Sequence, residues 1–254
     1  MNSLTVLAPL LLAIPVTSLF ILVPLYEYPT AMPVAWDNLI SAIAAYSEVQ
    51  FQVIINPDSG PGPNTNTYPN QDYMNVISKL NNHSNVITLG YVDTGYAQIP
   101  YSEVISNIST YAYWASNTKY NISIGGIFFD DVVGNYSYTN AELGYYRNIS
   151  AYAYEEVPST VTPVIFNPGS YGPEELFNYC DTMIEFEDLV SSYKNATTIH
   201  SLPSDRLDQP GIIIYNTSAT TNIQSLVHTM AEDGVNAVYF DYGSCFYKGN
   251  PTGC

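Results

Sequence analysis

The chain has 254 residues, 6 Lys+Arg against 23 Asp+Glu and a formal charge of -17, a balance that excludes nucleic-acid binding through clustered basic groups. Charged residues make up only 11% while hydrophobic ones reach 46% and Tyr alone counts 24, which excludes a disordered acidic chain and predicts a folded core. Met1 to Ser18 carries an apolar run from Leu4 to Pro15 followed by small residues. This run is too short and Pro-interrupted to span a bilayer, so it reads as a secretory signal peptide, with no membrane span after its removal. From Leu19 onward, short apolar, β-branched runs end in polar or Gly/Pro clusters, and most are followed by helix-compatible stretches.

The predicted strands are Leu19 to Tyr26, Val49 to Asn56, Asn85 to Val92, Ile124 to Asp130, Val161 to Asn167, Thr182 to Glu187, Gly211 to Tyr215 and Ala237 to Asp241. The predicted helices between them are Val34 to Tyr46, with Trp36, Leu39, Ile40 and Ile43 on one face, then Tyr73 to Leu80, Tyr101 to Ser116, Ala141 to Glu156, Pro173 to Asn178 and Ile223 to Asp233. Strands apolar on both faces and alternating with helices indicate a parallel sheet. Eight such units predict an α/β fold, a single-domain (β/α)8 barrel of the TIM type over residues 19–254, with an open doubly wound sheet as the competing arrangement. The NPDSGPG segment from Asn56 has two glycines, but its prolines remove N–H donors, so no phosphate cradle opens a helix.

Sequons at Asn82, Asn107, Asn121, Asn135, Asn148, Asn195 and Asn216 agree with an extracellular destination. Among three cysteines, Cys245 and Cys254 enclose a short Gly- and Pro-bearing segment and are the expected disulfide, with Cys180 left as a buried thiol. The cysteines lack metal-binding spacing and His83, His200 and His228 are scattered, so no metal site is expected.

In a barrel the chemistry sits where strands end. The strand ends here carry Tyr26, Asn56, Tyr91, Tyr96, Asp130, Asp131, Asn167 and Glu187. Aromatic faces, amides and paired carboxylates converging on one rim are the inventory of a sugar site. On the fourth strand, an axis-facing Asp130 puts Phe128 and Gly126 beneath it, while Ile127 and Phe129 meet the helices. On the sixth, Glu187 shares parity with Glu185, which would lie one layer deeper and competes with Glu187 for the catalytic assignment. Structural roles stay open for the others: rim packing for the tyrosines, turn capping for Asn56 and Asn167, and core packing for Trp36 and Trp114. Asp93 is expected to be structural.

The segments LVPLYEYP, VIINPDSGPG, NQDY, LGYVDTGY, YAYW, GIFFDD, FNPG and FE, in that order, resemble the spherulin-4-like (spherulation-specific) glycoside hydrolases of fungi. The resemblance covers about Ile21 to Asp241 and weakens after Glu187. It implies a (β/α)8 endo-α-1,4-N-acetylgalactosaminidase of the kind that cuts galactosaminogalactan, with no cofactor and an extracellular polysaccharide as partner. Carried over by position, it implies catalytic roles for Asp130, Asp131 and Glu187. Tyr26, Asn56, Tyr91, Tyr96 and Asn167 are the expected substrate-binding groups. One departure stands out: the family pattern has Glu where this chain has Asp131, one methylene shorter. A non-catalytic glycan-binding cell-wall or spore-coat protein on the same barrel is the alternative.

Overall fold

The computed structural model describes residues 19–30, 33–63, 65–134, 138–159, 161–193 and 209–241. The expected signal peptide and the Cys245–Cys254 pair lie outside them, as do Asn135, Asn195 and His200. Eight parallel strands run β1 (Phe20–Leu25), β2 (Phe51–Ile55), β3 (Val86–Asp93), β4 (Gly126–Asp130), β5 (Val164–Phe166), β6 (Thr182–Leu189), β7 (Pro210–Tyr215) and β8 (Ala237–Phe240). They close in sequence order into a barrel, β8 pairing back to β1, so the doubly wound alternative is excluded.

The helices are α1 (Pro33–Ala45), α2 (Gln71–Leu80), α3 (Tyr101–Trp114), α4 (Asn140–Glu156), α5 (Val190–Tyr193) and α6 (Ile223–Glu232). A 3-10 turn at Glu174–Tyr179 replaces a full helix after β5, where Pro173 begins the turn. The one-turn α5 had no periodicity to announce it. Asn70 caps α2 by accepting from Asp72 and Tyr73 N–H groups. Thr139 and Glu142 form a reciprocal capping box on α4.

Strand alternation separates two packed layers. Leu22, Ile54, Leu89, Phe128, Ile165, Ile184, Ile213 and Ala237 fill the barrel interior. Their neighbours in sequence, among them Val53, Ile55, Ile127, Phe129, Val164, Ile212 and Val238, face the helices. Each fully buried Leu, Ile or Phe contributes about 1.5–3 kcal/mol, so the interior plug fixes the register that aims the rim residues. Trp36 and Trp114 are buried in the helix layer, their indole N–H groups donating to the carbonyls of Glu27 and Thr67 at 3.0 and 2.9 Å. Cys180 is buried in the helix layer.

Tyr111 shows why two of the sequence motifs travel together. A Cβ on Gly90 would lie 2.5 Å from the Tyr111 ring, so glycine alone lets the ring lie against β3. From there its hydroxyl donates to the Ile55 carbonyl at 3.1 Å.

Candidate active site

Asp130 ends β4 with its side chain over Phe128, in the inward register that alternation predicts. Tyr91, inward from β3, donates its hydroxyl to Asp130 Oδ2 at 2.7 Å. Asn167, just past β5, donates from a single Nδ2 to Asp130 Oδ1 and to Glu187 Oε2, both at 2.8 Å. Two such bonds to one nitrogen hold the nearest oxygens of the carboxylates within about 5.6 Å of each other, on the close side of the range for paired glycosidase acids. Asn167 Oδ1 meanwhile accepts from the Gly169 N–H at 3.0 Å. One amide thus both caps its turn and bridges the two carboxylates. The other oxygen of Glu187 accepts from the Tyr215 hydroxyl.

Glu187 reaches the axis through an irregularity. Ile184 pairs with Gly211 and Phe186 with Ile212, leaving Glu185 as an extra residue in β6. Ile184 lies in the interior cluster and Phe186 packs against the outer one. The bulge restores the inward direction one residue late, at Glu187, which pairs with the inward-facing Ile213. The expected parity between Glu185 and Glu187 is therefore corrected: the deeper interior layer is held by Ile184. Glu185 is buried, and its Oε1 accepts from the Gly172 N–H at 3.2 Å. Burial pushes its carboxyl up to about 7, against the lowering effect of that N–H.

Asp131 sits in the left-handed region at φ 49°, a conformation Asp tolerates better than most residues. Its turn is clamped from β3. The Thr94 hydroxyl, fully buried, lies 2.9 and 2.7 Å from the carbonyl oxygens of Asp130 and Asp131. Tyr96 N–H donates to the Asp131 carbonyl at 2.6 Å. Gly95, Tyr96 and Ala97 are themselves all left-handed, so this loop and the Asp131 turn form one strained rim segment.

Burial, then the Glu187 charge, raise the Asp130 carboxyl, and the Tyr91 hydrogen bond partly offsets them, leaving it at about 6. The Tyr96 hydroxyl is held up at about 12, first by its hydrogen bond to Asp131. Burial raises the Tyr26 hydroxyl, and the charges of Asp130, Tyr91, Glu187 and Tyr215 raise it further. The Tyr26 ring meets Tyr91 edge-on at 5.6 Å. The resulting cavity of about 270 Å³ is lined by Tyr96, Asp130, Asp131, Asn167, Pro168, Gly169 and Glu187. Beside it, between the Asp58–Thr65 loop and α3, a cleft of about 600 Å³ carries Asp58, Asp93 and Glu103.

The family model of spherulation-specific family 4 matches residues 20–249. The chain belongs to this family. It is 34% identical over 186 residues to Spherulin-4 of Physarum polycephalum, a match covering 72% of this chain and 50% of that protein, so the chain spans half the length of that curated relative. Among solved structures, Aspergillus clavatus Sph3 in complex with GalNAc superposes with a TM-score of 0.78 at 29% identity, covering 91% of this chain and 95% of that one.

With the spherulation-specific barrel in place, the predicted residues divide. Tyr96, Asp130, Asp131, Asn167 and Glu187 meet in one cavity, and Tyr91 supports it from below. Tyr26 stands beside Tyr91. Asn56 stands apart just past β2, its Oδ1 accepting from Gly60 N–H at 3.0 Å, which closes the NPDSGPG loop on itself. Asp93 is likewise turned to its loop, accepting from Gly95 N–H at 2.7 Å. Sequence reasoning missed Tyr215 and Thr94. Tyr215 was legible as the final, inward-parity residue of the seventh strand. Thr94 acts through its buried hydroxyl on backbone carbonyls, and no spacing rule signals that.

Proposed function

We propose that the chain is a secreted glycoside hydrolase that cuts within α-1,4-linked N-acetylgalactosamine polymers of the galactosaminogalactan type, with retention of configuration. One observation carries the reading: Asp130 and Glu187 share the Asn167 amide, each at 2.8 Å, beside a cavity of sugar-subsite size. The GalNAc complex of Sph3, a relative with the same fold, supports the choice of sugar. In an α-linked N-acetylgalactosaminide the acetamido group is cis to the leaving oxygen and cannot attack C1 from the opposite face. The protein must therefore supply the nucleophile or position a water, and the close pairing of the two carboxylates favours the nucleophile. One carboxyl protonates the glycosidic oxygen as the C1–O bond breaks and the other carboxylate bonds C1; water then displaces the glycosyl group while the first carboxylate takes its proton. Asp131 lines the same cavity as a third acid. Tyr96, 54% exposed, offers a ring edge or face to the sugar from solvent.

The test is incubation of the pure protein with galactosaminogalactan, following new reducing ends and the anomer formed first. New ends with an α-anomeric first product are expected, and Asp130→Asn and Glu187→Gln should each lower turnover by about 10²- to 10⁴-fold. A double variant little worse than either single one would mark them as one catalytic unit. Wild type inert on every acetylated galactosamine polymer would refute the hydrolase. Asp131 in the family's Glu position favours the second reading, a glycan-binding module without turnover, which the same incubation identifies by binding without cleavage.

A further inference from the structure

Glu187 follows a bulge, and a Glu side chain with three rotatable bonds needs more than its strand to fix its carboxylate. Two donors do so. Asn167 Nδ2 takes Oε2 at 2.8 Å, and the Tyr215 hydroxyl takes Oε1. Tyr215 ends β7 two residues after the inward-facing Ile213, and in the β6–β7 register it stands opposite Leu189. Its ring packs against the interior cluster. Asp130 has the matching arrangement, one oxygen on Tyr91 and the other on Asn167. The floor of the site is thus two tyrosine hydroxyls, one per carboxylate, joined by a shared amide.

We propose that Tyr215 is a positioning residue of the reaction, its hydroxyl orienting Glu187 and favouring the ionised form of that carboxylate. The inference rests on the hydrolase reading for its kinetic part alone. A hydrogen bond to a charged acceptor is among the stronger ones, and deleting its donor disfavours the charge. Burial and the Glu187 charge hold the Tyr215 hydroxyl far above its ordinary range, so it remains a donor throughout the working pH interval.

The experiment is Tyr215→Phe, which keeps the ring in the interior cluster and removes one oxygen. Expected is a 10- to 100-fold loss in kcat with KM within about twofold, and one limb of the kcat/KM pH profile moved up by about one unit. The acid limb moves if Glu187 works as the ionised nucleophile, the alkaline limb if it works as the proton donor, so the same variant names its job. A second readout needs no substrate: the Glu187 carboxyl ¹³C resonance should titrate at higher pH in Tyr215→Phe than in wild type. An unmoved resonance, or both limbs unmoved in an active enzyme, overturns the proposal. Absence of hydrolysis by wild type refutes the functional reading instead and leaves the resonance to decide for or against Tyr215 by itself.

Discussion

Glu185→Gln tests the electrostatics of the barrel without reference to any substrate. Glu185 is 3% exposed, its carboxyl is pushed by burial from 4.5 up to about 7, and the hydrogen bond to it from Gly172 N–H is 3.2 Å long. Because the folded value lies above the unfolded one, the folded state binds this proton more tightly. The resulting stability is fully present below about pH 4.5 and is lost as pH rises through 7. A shift of this size corresponds to about 3 kcal/mol between the two limits. Gln retains the oxygen acceptor for Gly172 and cannot ionise, so it imitates the protonated acid at every pH. The variant should melt with wild type at pH 4 and above it by roughly 6–12 °C at pH 8. Asp130 is raised by burial as well, so both proteins keep some decline in the same window, and the difference between their melting curves isolates Glu185. Scanning calorimetry or thermal circular dichroism from pH 4 to 8 reads it directly. A constant difference across that range would show that Glu185 carries no burial-driven shift and would refute the reasoning.

Asp131→Glu adds one methylene, giving the Glu that the family resemblance implies at this position, and turnover on galactosaminogalactan should hold or rise. Its left-handed backbone suits Glu less well, so the same variant should lose about 1 kcal/mol of stability, read by denaturant midpoint. A loss of turnover in a folded Asp131→Glu variant would refute the argument that the added methylene restores reach. Binding to partly deacetylated, cationic polymer should weaken with added salt, because a chain of net charge -17 attracts it over a Debye length of about 8–10 Å. Titration calorimetry at low and high salt with equal affinities would count against that.

The barrel was legible because its signals are local and repeated. Strands buried on both faces read as continuous apolar runs, and all eight predicted runs correspond to strands, with ends differing by up to three residues. Two short helical segments mark the limit: the helix expected over Pro173 to Asn178 is a 3-10 turn at Glu174–Tyr179, and the single turn Val190–Tyr193, which has no periodicity, escaped. The bulge at Glu185 escaped for a different reason. Nothing in the run TMIEFE favours breaking parity there, since Ile184, Phe186 and both glutamates suit an alternating strand equally well. The pairing of β6 with β7 decides it, by seating Ile184 on Gly211 and Glu187 on Ile213.

The motifs that carried the family resemblance divide between folding and chemistry, and the division explains what they could teach. Asn70 of NQDY caps a helix and donates to the Tyr28 hydroxyl at 3.1 Å, while Tyr111 of YAYW requires Gly90 of LGYVDTGY. Asn56 of NPDSGPG closes its own loop. These residues fix loops and helix ends in place, and apart from the Asn70–Tyr28 bond their polar atoms named above go to backbone. The hydrogen-bonded carboxylate cluster draws on fewer positions, Tyr91, Asp130, Asn167 and Glu187, with Tyr215 outside every motif. A residue that hydrogen-bonds a rim carboxylate from a neighbouring strand leaves no spacing pattern, because its partner is 28 positions away in sequence and adjacent only through the barrel. The rim of the seventh strand therefore adds a contact to the carboxylate cluster that the motifs do not contain, and strand-end parity, followed past the sixth strand, is the sequence signal that reaches it.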